Sequence, residues 1–497
     1  MLIRHVSLVA CLCWASLATY GDATGAGYVF ELPGPSIAGA HFQAYGYNSS
    51  PFNVLYDNLG PTSANQVVAL PDGSKFYMLG ANGAGLQSVD PTFTTFRSIN
   101  GIAGTACAIS LTPNGKYLLL ASALTCPNAT TTGTTSLFYI LDTSNDTVLS
   151  NTVTLTGVVQ GFAISPDSKT AWILGNTVTG SAVTAVNLAT RAATGPAFNL
   201  PFGGATSITL SPLGLIYVTE QQRIYEVNPA TMNLTVNGEI QVNVTTPGPL
   251  RYTPDGTTAY LVNGTPQFGN TSILKLNLAT HGYSTWPLLN SGITPPVFDD
   301  VIPISNSRVI AISSVNTTLW DVTPSPLSAA PSTAFGGTFP TTNILSVAVS
   351  NEQPASRYMY ALIGNGNQTN LERITLSNNT LDQQSLAILG PGILQFVGVP
   401  PQTGAAAFIP LGNTNQILAA GQTSTQLTVI LTDATGRPVY NQPVTYSTDS
   451  TNGVVINGNA QTTNSYGYAT ATATVPTTPG SYVISVTSGG EIGRAHV

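Results

Sequence analysis

Residues that usually carry out catalysis are scarce in this sequence and widely separated. The 497 residues include only four histidines, and two of them, His41 and His281, lie away from both chain ends. A Ser-His-Asp triad would have to be built on one of these two, and no Gly-X-Ser-X-Gly motif accompanies them. His281 stands where related segments of the chain place a turn, so we predict a solvated turn residue and no catalytic residue.

The acidic residues do not predict a metal site or a cofactor site. Asp299-Asp300 is the only tight acidic pair, whereas Ca²⁺ binds six to eight oxygen ligands. We therefore expect this pair in a solvated loop or at the start of a strand. Asp72, Asp167 and Asp255 recur in turns, and the turn accounts for them. Phosphate-binding loops and Cys-X-X-Cys pairs are absent from the sequence, so we predict no catalytic, metal or cofactor-binding residues.

Two of the four cysteines, Cys107 and Cys126, follow the N-terminal segment and are candidates for a disulfide. An exported chain meets an oxidising compartment, where such a pair can form a bridge. If Pro113-Asn114-Gly115 is a hairpin turn, Cys107 faces roughly position 121, so a bridge to Cys126 requires the following loop to fold back. The alternative is two free, buried thiols.

Composition predicts a large apolar core and excludes nucleic acid as a partner. Hydrophobic residues make up 42% of the chain, but charged residues only 7%, against about 25% in a typical soluble domain. The net charge is −7, and the 14 Lys and Arg residues are scattered. Nucleic-acid binding requires clustered cations that neutralise phosphates, and no such cluster exists.

Residues 1–23 are typical of a secretory signal peptide. A single Arg4 precedes the mostly apolar run Val6–Leu17, and small residues that suit cleavage follow it. Leu8–Cys11 also resembles a lipoprotein cleavage motif, which is the alternative. No later segment reaches the length of a membrane-spanning helix. We therefore expect an extracellular or cell-surface protein, with the periplasm as a further possibility.

A hairpin pattern recurs about every 47 residues and predicts the architecture. In each copy an apolar strand runs into a Pro-Asp-Gly type turn, and a second apolar strand follows. Copies centre on Pro71, Pro113, Pro166, Pro212 and Pro254, with degenerate copies near Pro303, Ser350 and Pro400. Most copies are followed by a second pair of strands, which makes a four-stranded antiparallel unit.

Four-stranded units repeated around an axis form a β-propeller. We predict an all-β fold with a β-propeller over residues 24–412, with eight blades favoured and seven as the alternative. The hairpin from Phe396 to Ile409 lacks a following strand pair. The candidate strands Tyr28–Leu32 and His41–Tyr45 are expected to complete that last blade and close the ring.

The pattern changes near Gly412. Short alternating strands separated by turns predict an Ig-like β-sandwich over residues 413–490. Residues 491–497 can be encoded by DNA that resembles a sequencing-library adapter. We therefore predict a non-native tail, added where a reading frame runs off the end of a contig.

Two resemblances accompany these motifs. The hairpin repeat resembles the YVTN-type repeats of bacterial β-propellers, with Ile216-Tyr217-Val218-Thr219 as its nearest match to the tetrad. The C-terminal module, with Asp433…Gly436…Pro438-Val439 and Gly480…Tyr482…Val486, resembles bacterial Ig-like domains of the invasin/intimin (Big-1) type. This second resemblance implies a surface stalk or an adhesive spacer.

These patterns favour a non-catalytic binding or adhesion protein. The ring would present a rigid platform with variable loops, and its ligand would be an extracellular protein or a glycan. One alternative is an extracellular enzyme, such as a lyase, lactonase or other hydrolase with a metal in the central channel. The other is a structural component of the envelope or matrix.

Overall fold

The protein is described by a computed structural model, and its described residues are all β-structure without a helix. They are 27–33, 42–46, 54–58, 64–80, 85–123, 136–149, 153–155, 157–177, 180–242, 247–264, 272–286, 298, 300–313, 318–324, 327–331, 343–350, 355–364, 369–378, 380–388, 392–398, 404–411, 416–424, 426–434, 436–448, 453–489 and 491–496. The predicted signal segment 1–23 and His41 lie outside them. None of the described segments is a helix that could cross a membrane.

Eight small antiparallel sheets occupy the first four fifths of the chain. The N-terminal strands are β1 (Gly27–Pro33), β2 (Phe42–Gly46) and β3 (Val54–Asn58). Blade 1 comprises β4 (Ala64–Ala69), β5 (Phe76–Gly80), β6 (Leu86–Val89) and β7 (Phe96–Ile99). Blade 2 comprises β8 (Thr105–Leu111), β9 (Tyr117–Ala123), β10 (Ser136–Asp142), β11 (Thr147–Val148) and β12 (Val153–Leu155). Blade 3 comprises β13 (Val158–Ile164), β14 (Thr170–Asn176), β15 (Ser181–Asn187), β16 (Ala192–Ala193) and β17 (Phe198–Leu200).

The next four blades repeat the same order of strands. Blade 4 comprises β18 (Ser207–Leu210), β19 (Ile216–Glu220), β20 (Arg223–Asn228) and β21 (Asn233–Gln241). Blade 5 comprises β22 (Arg251–Tyr252), β23 (Thr258–Asn263), β24 (Ser272–Asn277) and β25 (Tyr283–Trp286). Blade 6 comprises β26 (Asp300–Pro303), β27 (Val309–Ser313), β28 (Thr318–Pro324) and β29 (Leu327–Pro331). Blade 7 comprises β30 (Asn343–Val349), β31 (Tyr358–Gly364), β32 (Thr369–Thr375) and β33 (Thr380–Ile388).

The eighth blade is built from both ends of the propeller sequence. Strand β34 (Gly392–Gly398) pairs with β1 along its whole length, and β2 and β3 follow outward. The Gln395 side chain then bonds the backbone of Val67 in blade 1, accepting from its N–H at 3.0 Å. The expectation that N-terminal strands complete the last blade is confirmed, and the ring has eight blades.

Apolar packing between blades explains why the sheets stand in a ring. Eight hydrophobic clusters each join one sheet to the next, including the last to the first. In the cluster that closes the ring, Phe30 of blade 8 packs against Phe76 and Phe93 of blade 1. A sheet of four short strands cannot keep both faces dry by itself, so each blade depends on two neighbours.

The strand after Pro400 corrects the last predicted hairpin. We expected Ala407-Phe408-Ile409 to pair with the strand at Phe396, inside a propeller ending at residue 412. Instead β35 (Ala405–Leu411) pairs with β36 (Leu427–Asp433) of the C-terminal module. The reason is that β1 already occupies the free edge of β34. The structural boundary therefore lies between β34 and β35.

The C-terminal module is a sandwich of two four-stranded sheets, ordered β35-β36-β40-β38 and β39-β37-β41-β42. The remaining strands are β37 (Pro443–Thr448), β38 (Val455–Asn457), β39 (Ala460–Thr462), β40 (Tyr468–Thr474), β41 (Val483–Ser488) and β42 (Glu491–His496). Alternate side chains such as Leu431, Tyr446 and Ile484 form the core between the sheets. Strand β42 lies in the predicted non-native tail and pairs with β41; the origin of that tail stays a prediction.

Turns between the first and second strands of neighbouring blades touch and form a collar at one end of the ring, here called the turn face. The Asn114 N–H of blade 2 donates to Ser168 Oγ of blade 3 at 3.0 Å. The Asp255 N–H of blade 5 donates to Asn306 Oδ1 of blade 6 at 2.9 Å. Because strands alternate in direction, the connections between second and third strands lie at the opposite end, here called the loop face.

Candidate ligand-binding groove

One of the two cysteines in the predicted disulfide lies within the described residues. Cys107 is disulfide-bonded, and it is the extra residue of a bulge, since Ala106 pairs with Ser122 and Ala108 with Ala121. A bulged residue has no partner directly across the ladder, so its side chain is re-aimed. Cys126 lies outside the described residues, and the pairing Cys107–Cys126 stays a prediction.

The recurring aspartates are turn residues, as predicted. Asp72 Oδ1 accepts from the Ser74 N–H at 2.9 Å, and Asp167 and Asp255 accept in the same way from the residues two positions on. Asp300 is the first residue of β26, which is one of the two positions expected for it, and it also forms an ion pair with Arg251 of blade 5 at 2.8 Å. Asp299 lies outside the described residues.

His281 corrects a prediction. We expected a solvated turn residue, but its side chain is only 18% exposed, and Nε2 lies 3.1 Å from Oε2 of Glu226 in the preceding blade. Glu226 also accepts hydrogen bonds from the hydroxyls of Tyr217 and Thr235. The contact with Glu226, which is itself only 4% exposed, accounts for the burial, and His281 makes it with a φ of +57°.

Residues in the equivalent position recur around the ring. Each lies in the turn between third and fourth strands, has a positive φ, and stands four residues after an Asp or Asn: Asp146 (58°), Arg191 (58°), Met232 (52°) and His281 (57°). A carboxylate at one blade junction and an imidazole at another therefore occupy the same structural place. Sequence reasoning missed these junction residues, although the four-residue spacing from the preceding Asp or Asn was the available signal.

A lateral row of side chains crosses blade 1 and faces blade 2. The strand registers pair Val68 with Tyr77, Tyr77 with Ser88 and Ser88 with Arg97. Directly paired residues share one face of a sheet, so these four side chains form one row across the blade. The row runs from apolar Val68 to charged Arg97 and becomes more exposed toward the outer strand. Arg97 at its outer end is exposed.

Asp146 of blade 2 fits against this row. Its Oδ1 accepts from Lys75 Nζ at 2.8 Å and from the Tyr77 hydroxyl at 2.6 Å, and its Oδ2 accepts from Ser88 Oγ at 2.8 Å. Burial disfavours the ionised carboxyl, but these three hydrogen bonds outweigh burial and hold the pKa of Asp146 below its usual range. Burial, and then Asp146, raise the pKa of Tyr77. The junction is thus a charged but satisfied network.

An open groove of about 560 Å³ runs over this junction. Its walls are the outer strand of blade 1 and the third-to-fourth-strand turn of blade 2. The polar lining includes Arg97, Asn100, Asn145, Asp146 and Thr147, and the apolar lining includes Ile99 and Val148. This volume lies within the range of small-ligand sites, which is about 300–1,000 Å³.

The groove is equipped for binding by hydrogen bonds and charge. Lys75 matches the charge of Asp146, so Arg97 carries the remaining positive charge. None of the groove residues forms a nucleophile–base pair of the kind used in covalent catalysis. Over the described part of the chain, no group of three or more His, Cys, Asp or Glu residues is placed to hold a metal ion.

A second unusual acid lies at the loop face. Glu220, at the end of β19, is 1% exposed, and in the described ranges neither carboxylate oxygen accepts a well-aligned hydrogen bond. Ser181 Oγ is close but already donates to Asn176 Oδ1 at 2.7 Å. Burial raises the pKa of Glu220, and the nearby hydroxyls of Tyr225 and Ser181 offset only part of that effect.

The Ig-like module docks on the collar of the turn face. Asn464 Nδ2 donates to the Pro166 carbonyl at 2.9 Å, and the next residue, Ser465, donates its N–H to the Pro113 carbonyl at 2.9 Å. These two prolines are equivalent positions in adjacent blades. The Tyr440 hydroxyl adds a bond to the Asn114 carbonyl at 3.1 Å. The module therefore binds the same backbone carbonyl in the turns of two adjacent blades.

Comparisons with known proteins agree with both parts of this architecture. The sequence family of bacterial Ig-like domains (group 1) matches residues 411–497. No curated protein matches the chain. Among solved structures, dihydro-heme d1 dehydrogenase NirN in complex with DHE is similar at TM-score 0.54 and 10% identity, with 76% of each chain covered.

Two further solved structures are similar at lower TM-scores. Hydrazine synthase of Kuenenia stuttgartiensis aligns at TM-score 0.42 and 14% identity, covering 65% of this chain and 94% of its own. A functionally unknown protein from Desulfotomaculum acetoxidans DSM 771 aligns at TM-score 0.42 and 13% identity, covering 60% of this chain and 92% of its own. At 10% identity, the similarity to the dehydrogenase structure is informative about fold alone. The chain is an all-β protein in which an eight-bladed propeller precedes a bacterial Ig-like domain of group 1.

Proposed function

We propose that this is an exported, non-catalytic binding protein of the bacterial cell surface. The propeller serves as the ligand-binding platform, and the Ig-like module serves as the stalk that holds it. The observation that carries the proposal is the placement of the module on the collar of blades 2 and 3 through Pro113 and Pro166. None of the residues that make this contact lines the groove between blades 1 and 2.

The rigidity of the ring supports a platform role. Each blade packs against its neighbours through an apolar cluster, and some junctions add partly buried polar bonds such as Tyr77–Asp146 and Arg251–Asp300. A preorganised surface loses little conformational freedom when it binds, and so more of its contact energy appears as affinity. Group 1 bacterial Ig-like domains are typical of surface proteins, which is consistent with the predicted signal segment.

A binding screen with the full chain tests this function. The purified protein would be immobilised through its C-terminal end and exposed to extracellular polysaccharides, matrix proteins and cell-wall fragments. We expect saturable binding of at least one class, with the bound material recovered chemically unchanged. Binding to none of them, or turnover of the bound material with or without added metal ions, would contradict the proposal.

A further inference from the structure

We propose that the groove between blades 1 and 2 binds an anionic saccharide, with Arg97 taking its acidic group. This inference rests on the proposed binding function and specifies its ligand class. Arg97 lies at the outer end of the Tyr77–Ser88–Arg97 row. No carboxylate of the described residues is within ion-pair distance of it, although the chain has only 14 Lys and Arg against 21 Asp and Glu.

The neighbouring groups add hydrogen-bond donors. Asn145 Oδ1 accepts from the Thr147 N–H at 3.0 Å, so the amide NH₂ of Asn145 is the end directed to other partners. Asn100 is exposed on the opposite wall. Arg97, Asn100 and Asn145 together offer donors in excess of acceptors, because the acceptors of Asp146 are used by Lys75, Tyr77 and Ser88. A donor-rich groove selects an acceptor-rich ligand.

The remaining surface suits a sugar ring better than a small inorganic anion. Ile99 and Val148 add apolar side chains to the lining of the groove, and the C–H faces of pyranose rings can cover such apolar surface. An extended groove of this volume holds more than a single ion. The planar guanidinium of Arg97 matches a carboxylate or a sulfate with two parallel hydrogen bonds.

The test measures binding of three oligosaccharides of equal length to the full chain by calorimetry. Oligogalacturonate carries carboxylates, a heparin-type oligosaccharide carries mainly sulfates, and a cello-oligosaccharide is neutral. We expect one of the acidic probes to bind at least ten times more tightly than the neutral one, and its affinity to fall as salt rises. Which acidic probe binds identifies carboxylate or sulfate as the recognised group.

Two variants connect the binding to the groove. Arg97→Gln removes the charge of an exposed side chain. Asn145→Asp keeps the oxygen that accepts from the Thr147 N–H but introduces a negative charge that repels an anionic ligand. Each is expected to weaken acidic-saccharide binding at least tenfold with unchanged unfolding temperature. The matched control is Lys169→Gln, a side chain 78% exposed on the turn face, which should have no effect.

The outcomes separate this inference from the proposed function. Equal affinity for neutral and acidic probes, no binding of either, or full affinity in Arg97→Gln would overturn the saccharide site. The broader binding function would still stand if another extracellular ligand were captured. Conversely, specific binding of an acidic saccharide that is then cleaved would keep the site and overturn the non-catalytic function.

Discussion

Asp146 and Glu220 are both largely buried acids, yet their environments shift their pKa values in opposite directions. Asp146 accepts three hydrogen bonds, one of them from a cation. Glu220 accepts none of good geometry among the described residues. Hydrogen bonds to the charged form lower a carboxyl pKa, and burial without them raises it. The two residues therefore predict opposite responses of stability to pH.

Asp146→Asn is expected to destabilise the protein at pH 7 by about 1–3 kcal/mol, because it removes the charged acceptor of the network. The pKa of Asp146 is lowered in the folded state, so its contribution is present above the ordinary carboxyl value of about 3.9 and is lost as pH falls further. Denaturant unfolding at pH 7 and pH 3 checks this. Asp167→Asn, an exposed turn residue whose amide oxygen can still accept from the Lys169 N–H, is the control. A difference that persists unchanged at pH 3 would contradict the charge-based explanation.

Glu220→Gln is expected to stabilise the protein at pH 7 by about 1–2 kcal/mol, because a buried charge becomes a neutral amide. The pKa of Glu220 is raised in the folded state, so ionisation of this carboxyl at higher pH lowers the free energy of unfolding. The cost disappears below the ordinary glutamate pKa of about 4.3, where the residue is protonated whether folded or unfolded. The stability gained in Glu220→Gln should therefore shrink as pH falls from 7 toward 4. Denaturant unfolding at several pH values measures this change. A loss of stability at pH 7 would show that Glu220 has a partner that stabilises its charge.

At the scale of the element, the hairpin turn performs two tasks. Gly115 has φ of +71°, which glycine adopts without strain, and it ends a turn closed by its N–H donating to Thr112 O at 2.7 Å. It also packs against the neighbouring turn, since a Cβ at this position would lie 2.6 Å from Pro71 Cδ. The same turn residue thus shapes the hairpin and spaces the collar.

Gly115→Ala is expected to cost more than backbone strain alone. The control is Gly421→Ala. Gly421 has a φ of +77°, and no heavy atom lies within 4 Å of an added Cβ, so this variant measures the cost of backbone strain alone. Gly115→Ala should lose about 1–3 kcal/mol more unfolding free energy than Gly421→Ala, because the collar must shift to admit a methyl group. Unfolding free energies of the two variants give the comparison. Equal losses would mean that the collar contact has no energetic weight.

At the scale of the whole molecule, the orientation of the platform depends on a small docking contact. Asn464 Oδ1 accepts from the N–H groups of Tyr466 and Tyr468, which shapes its own turn, while Nδ2 reaches Pro166 of the ring. Asn464→Asp preserves the first role and replaces the second with repulsion between oxygens. It therefore separates docking from folding of the module.

Asn464→Asp combined with Tyr440→Phe is expected to raise the undocked fraction by a factor of about 5 to 30, because two hydrogen bonds contribute roughly 1–2 kcal/mol. Energy transfer between one dye on the ring and one on the module measures the change. Asn457→Asp, exposed on β38, is the control. Unchanged energy transfer in the double variant would mean that other contacts hold the module.

The sequence by itself determined the repeating unit and the closing role of the N-terminal strands, and it favoured eight blades while leaving seven open. This was possible because Pro71-Asp72-Gly73 and its copies encode their turns locally, and because alternating apolar residues mark each strand. The C-terminal sandwich was likewise evident from its strand and turn spacing, apart from β35, whose pairing depended on β1 having taken the edge of β34.

Only the tertiary structure decided how the blades meet. Asp146 contacts Tyr77, and His281 contacts Glu226, across 69 and 55 positions of the chain. Such contacts depend on the twist and spacing of whole sheets, and no local pattern in one blade encodes them. The groove and the docking of Asn464 on Pro166 arise in the same way, since each is formed by segments that come together only when neighbouring units pack against each other.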